Sequence, residues 1–174
     1  MYTMTMSLLE SAIQLAVEAH SGQRDKAGRP YILHPLAVMF AAEKAYQAHQ
    51  PSLLVTLEEF MAAAILHDVS EDHFEKYPLS LIHEKFGDSV YEIVDGVTRR
   101  QGETYMEFIR RAYEDPGSCL LKILDINHNL SRISALPLAE QTIRRRYEKA
   151  LVVLNTRLTW EQINAISSFF LSRI

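Results

Sequence analysis

Four helix-start boxes punctuate this chain, and no strand signal competes with them. Ser7-Leu8-Leu9-Glu10, Thr56-Leu57-Glu58-Glu59, Thr104-Tyr105-Met106-Glu107 and Thr159-Trp160-Glu161-Gln162 each set Ser or Thr three residues before Glu or Gln. In such a box the hydroxyl takes one orphan amide and the longer side chain returns to another, so the helix start is satisfied locally. Behind each box apolar residues recur three and four apart, as at Leu8, Leu9, Ala12, Ile13 and Ala16. Stops follow at Gly87, at Pro116-Gly117 and at Pro137. No alternating run and no hairpin dipeptide stands out, since Asp95-Gly96 lies inside a helical pattern. The spacing predicts helices near 7–20, 35–48, 56–72, 80–86, 88–97, 105–114, 118–131, 138–154 and 160–172. That is an all-α bundle of about eight to nine helices, and residues 1–174 read as one domain.

Composition narrows the class. At 174 residues and 48% hydrophobic, the chain is long enough to bury a sizeable core without staples. A formal net charge of -4 argues against nucleic acid, which wants a basic face. The opening "MYTMTMSLLE" has no basic start followed by an apolar stretch, and no run reaches the roughly 18–20 apolar residues that span a bilayer. A soluble cytoplasmic protein is expected. The lone Cys119, within "GSCLLKIL", reads as a core thiol. One basic run, "IRRRYEKA" at 143–150, reads as a solvated helix face or as local phosphate attraction at the mouth of a pocket.

Against this background "LHDVSEDH" at 66–73 stands out, because it follows the apolar "FMAAAI" with two histidines and three carboxylates. Ionised groups in an apolar setting cost several kcal/mol unless paired or metal-bound. Read as a helix, the segment puts His67 and Asp68 one turn before Glu71 and Asp72, near a C-terminus whose partial negative charge disfavours more carboxylates. Alanines 62–64 let another helix approach and bury the base of this patch. A second stretch, "LLKILDINHNLSRI", carries Lys122, Asp125, His128 and Asn129 as one polar stripe on an apolar helix, where each needs a partner. The Gly- and Pro-rich "SGQRDKAGRPYILHP" at 21–35 ends in His34-Pro35, with proline suited to a helix's first turn. Two imidazoles and two carboxylates, His34, His67, Asp68 and Asp125, suit Mn²⁺, Fe²⁺ or Zn²⁺ better than Ca²⁺. Fewer than six protein ligands leave positions open for water and substrate.

A His-Asp pair on a helix with an upstream His and a downstream Asp resembles the HD-domain metal phosphohydrolases. "AHSGQRDKAGRPYILHP", "AAAILHDVSED", "FGDSVYEIVDGVTR" and "LKILDINHNL" resemble, in order, the hydrolase domain of the RelA/SpoT alarmone enzymes. The length resembles the small alarmone hydrolases, the Mesh1-like family, and the likeness covers about residues 8–132. The resemblance implies an HD-type helical bundle that binds Mn²⁺ through His34, His67, Asp68 and Asp125. It implies that Glu71 and Asp72 handle the nucleophilic water and its protons, with Asn129 completing the site. The family removes the 3′-diphosphate from nucleotides such as ppGpp. Lys26, Lys122 and an arginine of the 144–146 run, Arg144 as the candidate, are suited to hold that diphosphate.

Departures fall on the substrate side. Relatives acting on guanine alarmones often carry an aromatic-Arg-Lys triplet after "GQ", with the arginine on the base, whereas Arg24-Asp25-Lys26 stands here. Arg24 is the candidate substitute and Tyr31 either stacks on the base or packs. The "DRLHN" pattern becomes Asp125-Ile126-Asn127-His128-Asn129. Guanine and adenine alarmones stay open, as do an HD phosphatase or phosphodiesterase acting on another nucleotide such as NADPH, at its 2′-phosphate, and a non-catalytic nucleotide-binding module. The partner expected is a hyperphosphorylated small nucleotide, on a monomer or homodimer, with neither nucleic acid nor membrane. His20 reads as a cap of the first helix, His128 as support behind the metal face, and Thr98-Arg99 as structural. The terminal "ISSFFLSRI" reads as a core-packing helix or a dimer contact.

Overall fold

The computed structural model describes residues 6–49, 53–133 and 141–171. In chain order its helices are α1 (Leu8–Ala19), α2 (Leu33–His49), α3 (Leu57–Leu66), the single turn α4 (Val69–Asp72), α5 (Leu79–Val97), α6 (Tyr105–Glu114), α7 (Pro116–Ile133), α8 (Gln141–Leu154) and α9 (Trp160–Leu171). No strand occurs among the described residues, and an isolated bridge between Arg24 and Pro30 closes the loop before α2. All four capping boxes form: Ser7 with Glu10, Thr56 with Glu59, Thr104 with Glu107 and Thr159 with Gln162 exchange side chain and backbone N–H in both directions.

Four boundaries differ from the expected ones, and the first is α2, which starts at Leu33 rather than near 35. The segment 56–72 is not one helix, because α3 ends at Leu66 and His67-Asp68 form a turn before α4. In a continuous helix the Ala64 carbonyl would accept from the Asp68 N–H. Here the His67 Nδ1 takes that carbonyl at 2.8 Å. The segments 80–86 and 88–97 run together as α5, kinked at Gly87 (φ 79°, ψ 178°), a conformation glycine adopts without a side-chain clash. Helix α7 begins two residues before the expected 118, at Pro116, with Asp115 accepting from the Ser118 N–H at 2.6 Å. The stop at Pro137, the start at 138 and residues 172–174 lie outside the described residues.

The core is organised around α3, which packs on α1, α2 and α5. Ala62, Ala63, Ala64, Ile65 and Leu66 are all fully buried, so the small side chains bring the neighbouring helices close. Helix α7 is the second axis and touches α2, α5, α6, α8 and α9. Gly96 lets α5 meet α7: a Cβ there would lie 2.0 Å from Ser118 Oγ. Cys119 is buried in α7, and burial pushes its thiol up to about 12. No described helix is long and apolar enough to cross a membrane. The entrance of α2, the α3–α4 junction and the middle of α7 converge on one place.

Candidate active site

That place holds His34 from the first turn of α2, His67 and Asp68 from the α3–α4 junction, and Asp125 from α7. His34, His67 and Asp125 are all at most 5% exposed. The two Nε2 atoms are 3.3 Å apart. Asp68 Oδ2 lies 3.3 Å from His34 Nε2 and 3.1 Å from His67 Nε2, and Asp125 Oδ1 lies 3.2 and 3.7 Å from the same atoms. A first-row ion with ligand bonds of about 2.1 Å spaces neighbouring donors by roughly 3.0–3.4 Å. His34, His67 and Asp68 form the tightest group, and Asp125 approaches the same two imidazoles. The donor set and spacing fit a divalent cation.

Charge at the cluster points the same way. Burial works against a charged His67, yet the Asp68 and Asp125 carboxylates beside it lift the imidazole to about 10. His34 is likewise raised against burial by hydrogen bonds to Asp125 and Asp68. Burial opposes ionisation of both carboxyls, but the imidazoles hold Asp68 well below the usual range, and Lys122 leads the same effect on Asp125. The pocket thus collects positive charge around two anions, which a divalent ion supplies without the protons.

Surrounding groups aim these side chains. His67 Nδ1 is fixed by the Ala64 carbonyl, and His34 Nδ1 lies 2.6 Å from His128 Nδ1. Burial, then the neighbouring His34 and Arg132, push His128 down to about 3, so it stays neutral and accepts from His34. Both His34 and His67 therefore present Nε2 to the carboxylates. Tyr31 donates its hydroxyl to Asp68 Oδ2 at 2.6 Å. Asn129 donates to Asp125 Oδ1 at 2.6 Å, and Lys122 to Oδ2 at 2.8 Å while lying over the Phe108 ring.

Glu71 and Asp72 stand at the solvent edge. Neighbouring protein desolvates the Glu71 carboxyl enough to raise it, against the Arg99 backbone N–H that donates to Oε2 at 2.8 Å. That N–H is set by the segment after α5: Thr98 Oγ1 donates to the Val94 carbonyl, and Arg111 bonds the Thr98 carbonyl and both Glu103 oxygens. Asp72 Oδ2 accepts from Gln23 Nε2 at 2.8 Å.

A cavity of about 830 Å³ opens beside the cluster, with Tyr31, His128 and Asn129 on its near wall. Arg24, Lys26, Arg29, Arg132 and Arg146 give it cations, and Tyr147, Phe169 and Phe170 give it aromatic faces. Asp25 does not stand as an unpaired acid here. Its Oδ2 accepts from Arg29 Nε at 3.1 Å and Arg132 Nη2 at 2.5 Å, and its Oδ1 takes the Ala27 and Arg29 N–H groups. The sequence candidates divide accordingly. Arg24, Lys26, Tyr31 and Asn129 line the cavity. Arg144 does not; it is paired with Glu148 at 3.8 Å, and Arg146, on the inward face of α8, takes the wall and lies over Tyr105. Lys122 is engaged by Asp125 rather than presented to the cavity. Sequence reasoning missed Gln23, the Arg99 N–H, Arg132 and the α8–α9 aromatics. Only Gln23, in the "GQ" of the first motif, and Arg99, in "GVTRR", left a local signal.

Residues 12–158 match the family described as HD domain. Over 151 residues the chain is 34% identical to a probable GTP pyrophosphokinase of Mycobacterium leprae, covering 81% of this chain and 18% of that protein. Over 133 residues it is 34% identical to a guanosine-3′,5′-bis(diphosphate) 3′-pyrophosphohydrolase of Aquifex aeolicus, covering 72% of this chain and 18% of that one. The chain therefore spans less than a fifth of these relatives' length. A solved structure described as a metazoan orthologue of SpoT that hydrolyses ppGpp superposes with a TM-score of 0.69 at 22% identity, covering 99% of this chain and 98% of that chain. That superposition establishes the fold.

Proposed function

The chain belongs to the HD-domain family, and from that premise we propose that it is a metal-dependent pyrophosphohydrolase of alarmone nucleotides, of ppGpp or ppApp type. The carrying observation is the buried His/Asp cluster joined through Tyr31, His128 and Asn129 to the wall of a cavity that is cationic and aromatic in a chain of net charge -4. Such a wall suits a ligand with several phosphates and a flat base. The name of the Aquifex aeolicus relative gives a guanosine bis(diphosphate) as its substrate, which supports the same reading.

On this reading the divalent ion, proposed as Mn²⁺, is held by His34, His67, Asp68 and Asp125, and when bound it lowers the pKa of water and offsets phosphate charge. The reaction adds water oxygen to the phosphorus next to the ribose, breaks the bond to O3′ and delivers a proton there, giving a nucleoside 5′-diphosphate and pyrophosphate. Glu71, with its raised carboxyl and its anchoring Arg99 N–H, takes and returns the proton. Asp72, steadied by Gln23, orients the same water. Asn129 and Lys122 keep Asp125 aimed. Arg24, Lys26 and Arg146 hold the diphosphate, while Arg132 and the aromatic faces receive the base. The proposal treats the chain as one HD domain acting in the cytoplasm.

The Asp25–Arg132 pair favours a second reading, an HD phosphatase on another nucleotide such as NADPH, because it changes the cation that meets the base or the 2′-phosphate. Incubation with Mn²⁺ and ppGpp, ppApp, NADPH and common nucleotides, with products read by anion exchange, decides between them. Pyrophosphate from an alarmone is expected. Orthophosphate from NADPH selects the second reading, and no product from a demonstrably metal-loaded protein discards both.

A further inference from the structure

Next to the first cluster a second group of ligand-type side chains closes. His20 follows the end of α1, Asp72 ends α4 and His73 follows it, and one ligand atom of each lies within 4.8 Å of the others. Gln23 sits among them. Its Oε1 is 2.7 Å from His20 Nδ1 and 3.1 Å from His73 Nε2, and its Nε2 donates to Asp72 Oδ2. His20 is 3% exposed. His20 Nδ1 and His73 Nε2 both face Gln23 Oε1, so the two imidazoles and the Asp72 carboxylate converge on this amide.

We propose that His20, Asp72 and His73, with the Gln23 carbonyl oxygen, form a second site for a first-row divalent cation of the zinc or cobalt type. Two imidazoles and one carboxylate are the donor set such borderline ions prefer, and three protein ligands with an amide oxygen or water complete four-coordination. The arrangement repeats the logic of the first cluster. There, adjacent His67 and Asp68 are joined by a histidine from an earlier segment, His34; here, adjacent Asp72 and His73 are joined by His20. Without the ion, Gln23 bridges the two rings and the carboxylate, and with it the amide oxygen becomes a ligand. A cation at this point also fastens the end of α1 to α4. The proposal rests on these four residues and not on the alarmone reading.

The test is a metal count. Protein stripped with a chelator is equilibrated with a slight excess of Zn²⁺, freed of unbound ion and measured by atomic emission, beside His73→Ala and Asp68→Asn. Wild type is expected to hold about one zinc per chain more than His73→Ala, which keeps the first site. Equal counts in wild type and His73→Ala overturn the proposal. His73 is only half-buried, so its loss leaves the core intact. A second readout guards against misfolding: Co²⁺ added to Asp68→Asn should produce visible ligand-field absorption that vanishes in Asp68→Asn/His73→Ala. Identical spectra from the two variants also overturn it. Failure of alarmone turnover leaves both readouts untouched, so the two proposals fail separately.

Discussion

Glu71 reaches the edge of the cluster with one oxygen held by the Arg99 N–H and a carboxyl raised by partial burial. Glu71→Gln keeps that hydrogen bond and the side chain's size but removes the exchangeable proton. Turnover should fall about 10²–10⁴-fold with metal still bound, as for loss of a general acid–base group; near-normal turnover would remove Glu71 from the water-handling role. Asp68→Ala should behave differently, losing metal and activity together. His128 acts through His34, so His128→Ala should weaken Mn²⁺ binding roughly 10–100-fold, the usual effect of removing a partner behind a ligand. A calorimetric titration reads this directly, and unchanged affinity would make His128 a packing residue. At this scale the residue types of the cluster were legible, because imidazole next to carboxylate in an apolar run needs a partner. The hydrogen bonds that aim them were not, since Tyr31 and Asp68 are 37 positions apart and His34 and His128 are 94 apart.

Helix ends carry most of what the element scale adds. The capping boxes were readable because their partners lie three residues away and need no tertiary contact. The break after Leu66 was not, because it depends on the His67 ring turning back onto the Ala64 carbonyl. The close approach of α5 and α7 is equally invisible in "DGVTRR", yet it explains a glycine inside a helix. Gly96→Ala should therefore destabilise the protein by about 1–3 kcal/mol through overpacking, despite alanine's better helix propensity, and urea unfolding will read the sign. The segment between α5 and α6 adds a pH-dependent element. The Arg111 guanidinium holds the Glu103 carboxyl below its ordinary value, so its stabilisation is present near neutrality and is lost as pH falls through that lowered value. Glu103→Gln should be less stable than wild type by about 1 kcal/mol at pH 7, with the gap closing in acid.

Across the whole molecule, helices far apart in the chain build one cavity whose walls differ in charge and shape. Arg146 on its wall and Arg144 outside it form a matched pair of probes. Arg146→Ala should raise KM several-fold, whereas Arg144→Ala should leave kinetics near wild type; the reverse would put the diphosphate elsewhere. Metal linkage is also global: Mn²⁺ at 100 times its Kd should stabilise by about 2.7 kcal/mol, raising Tm by roughly 5–10 °C, and Asp68→Ala should abolish the shift. The all-α class, the four boxed helix starts, the lone core thiol and the four His/Asp candidates followed from sequence alone, because each rests on local periodicity, on short-range capping or on the cost of burying charge. Tertiary packing decided the rest. It chose Arg146 over Arg144, tied Lys122 to Asp125, paired Asp25 with Arg132 and brought His20 to Asp72-His73. Those outcomes depend on helix rotation and on contacts between distant segments, to which a one-dimensional pattern is blind.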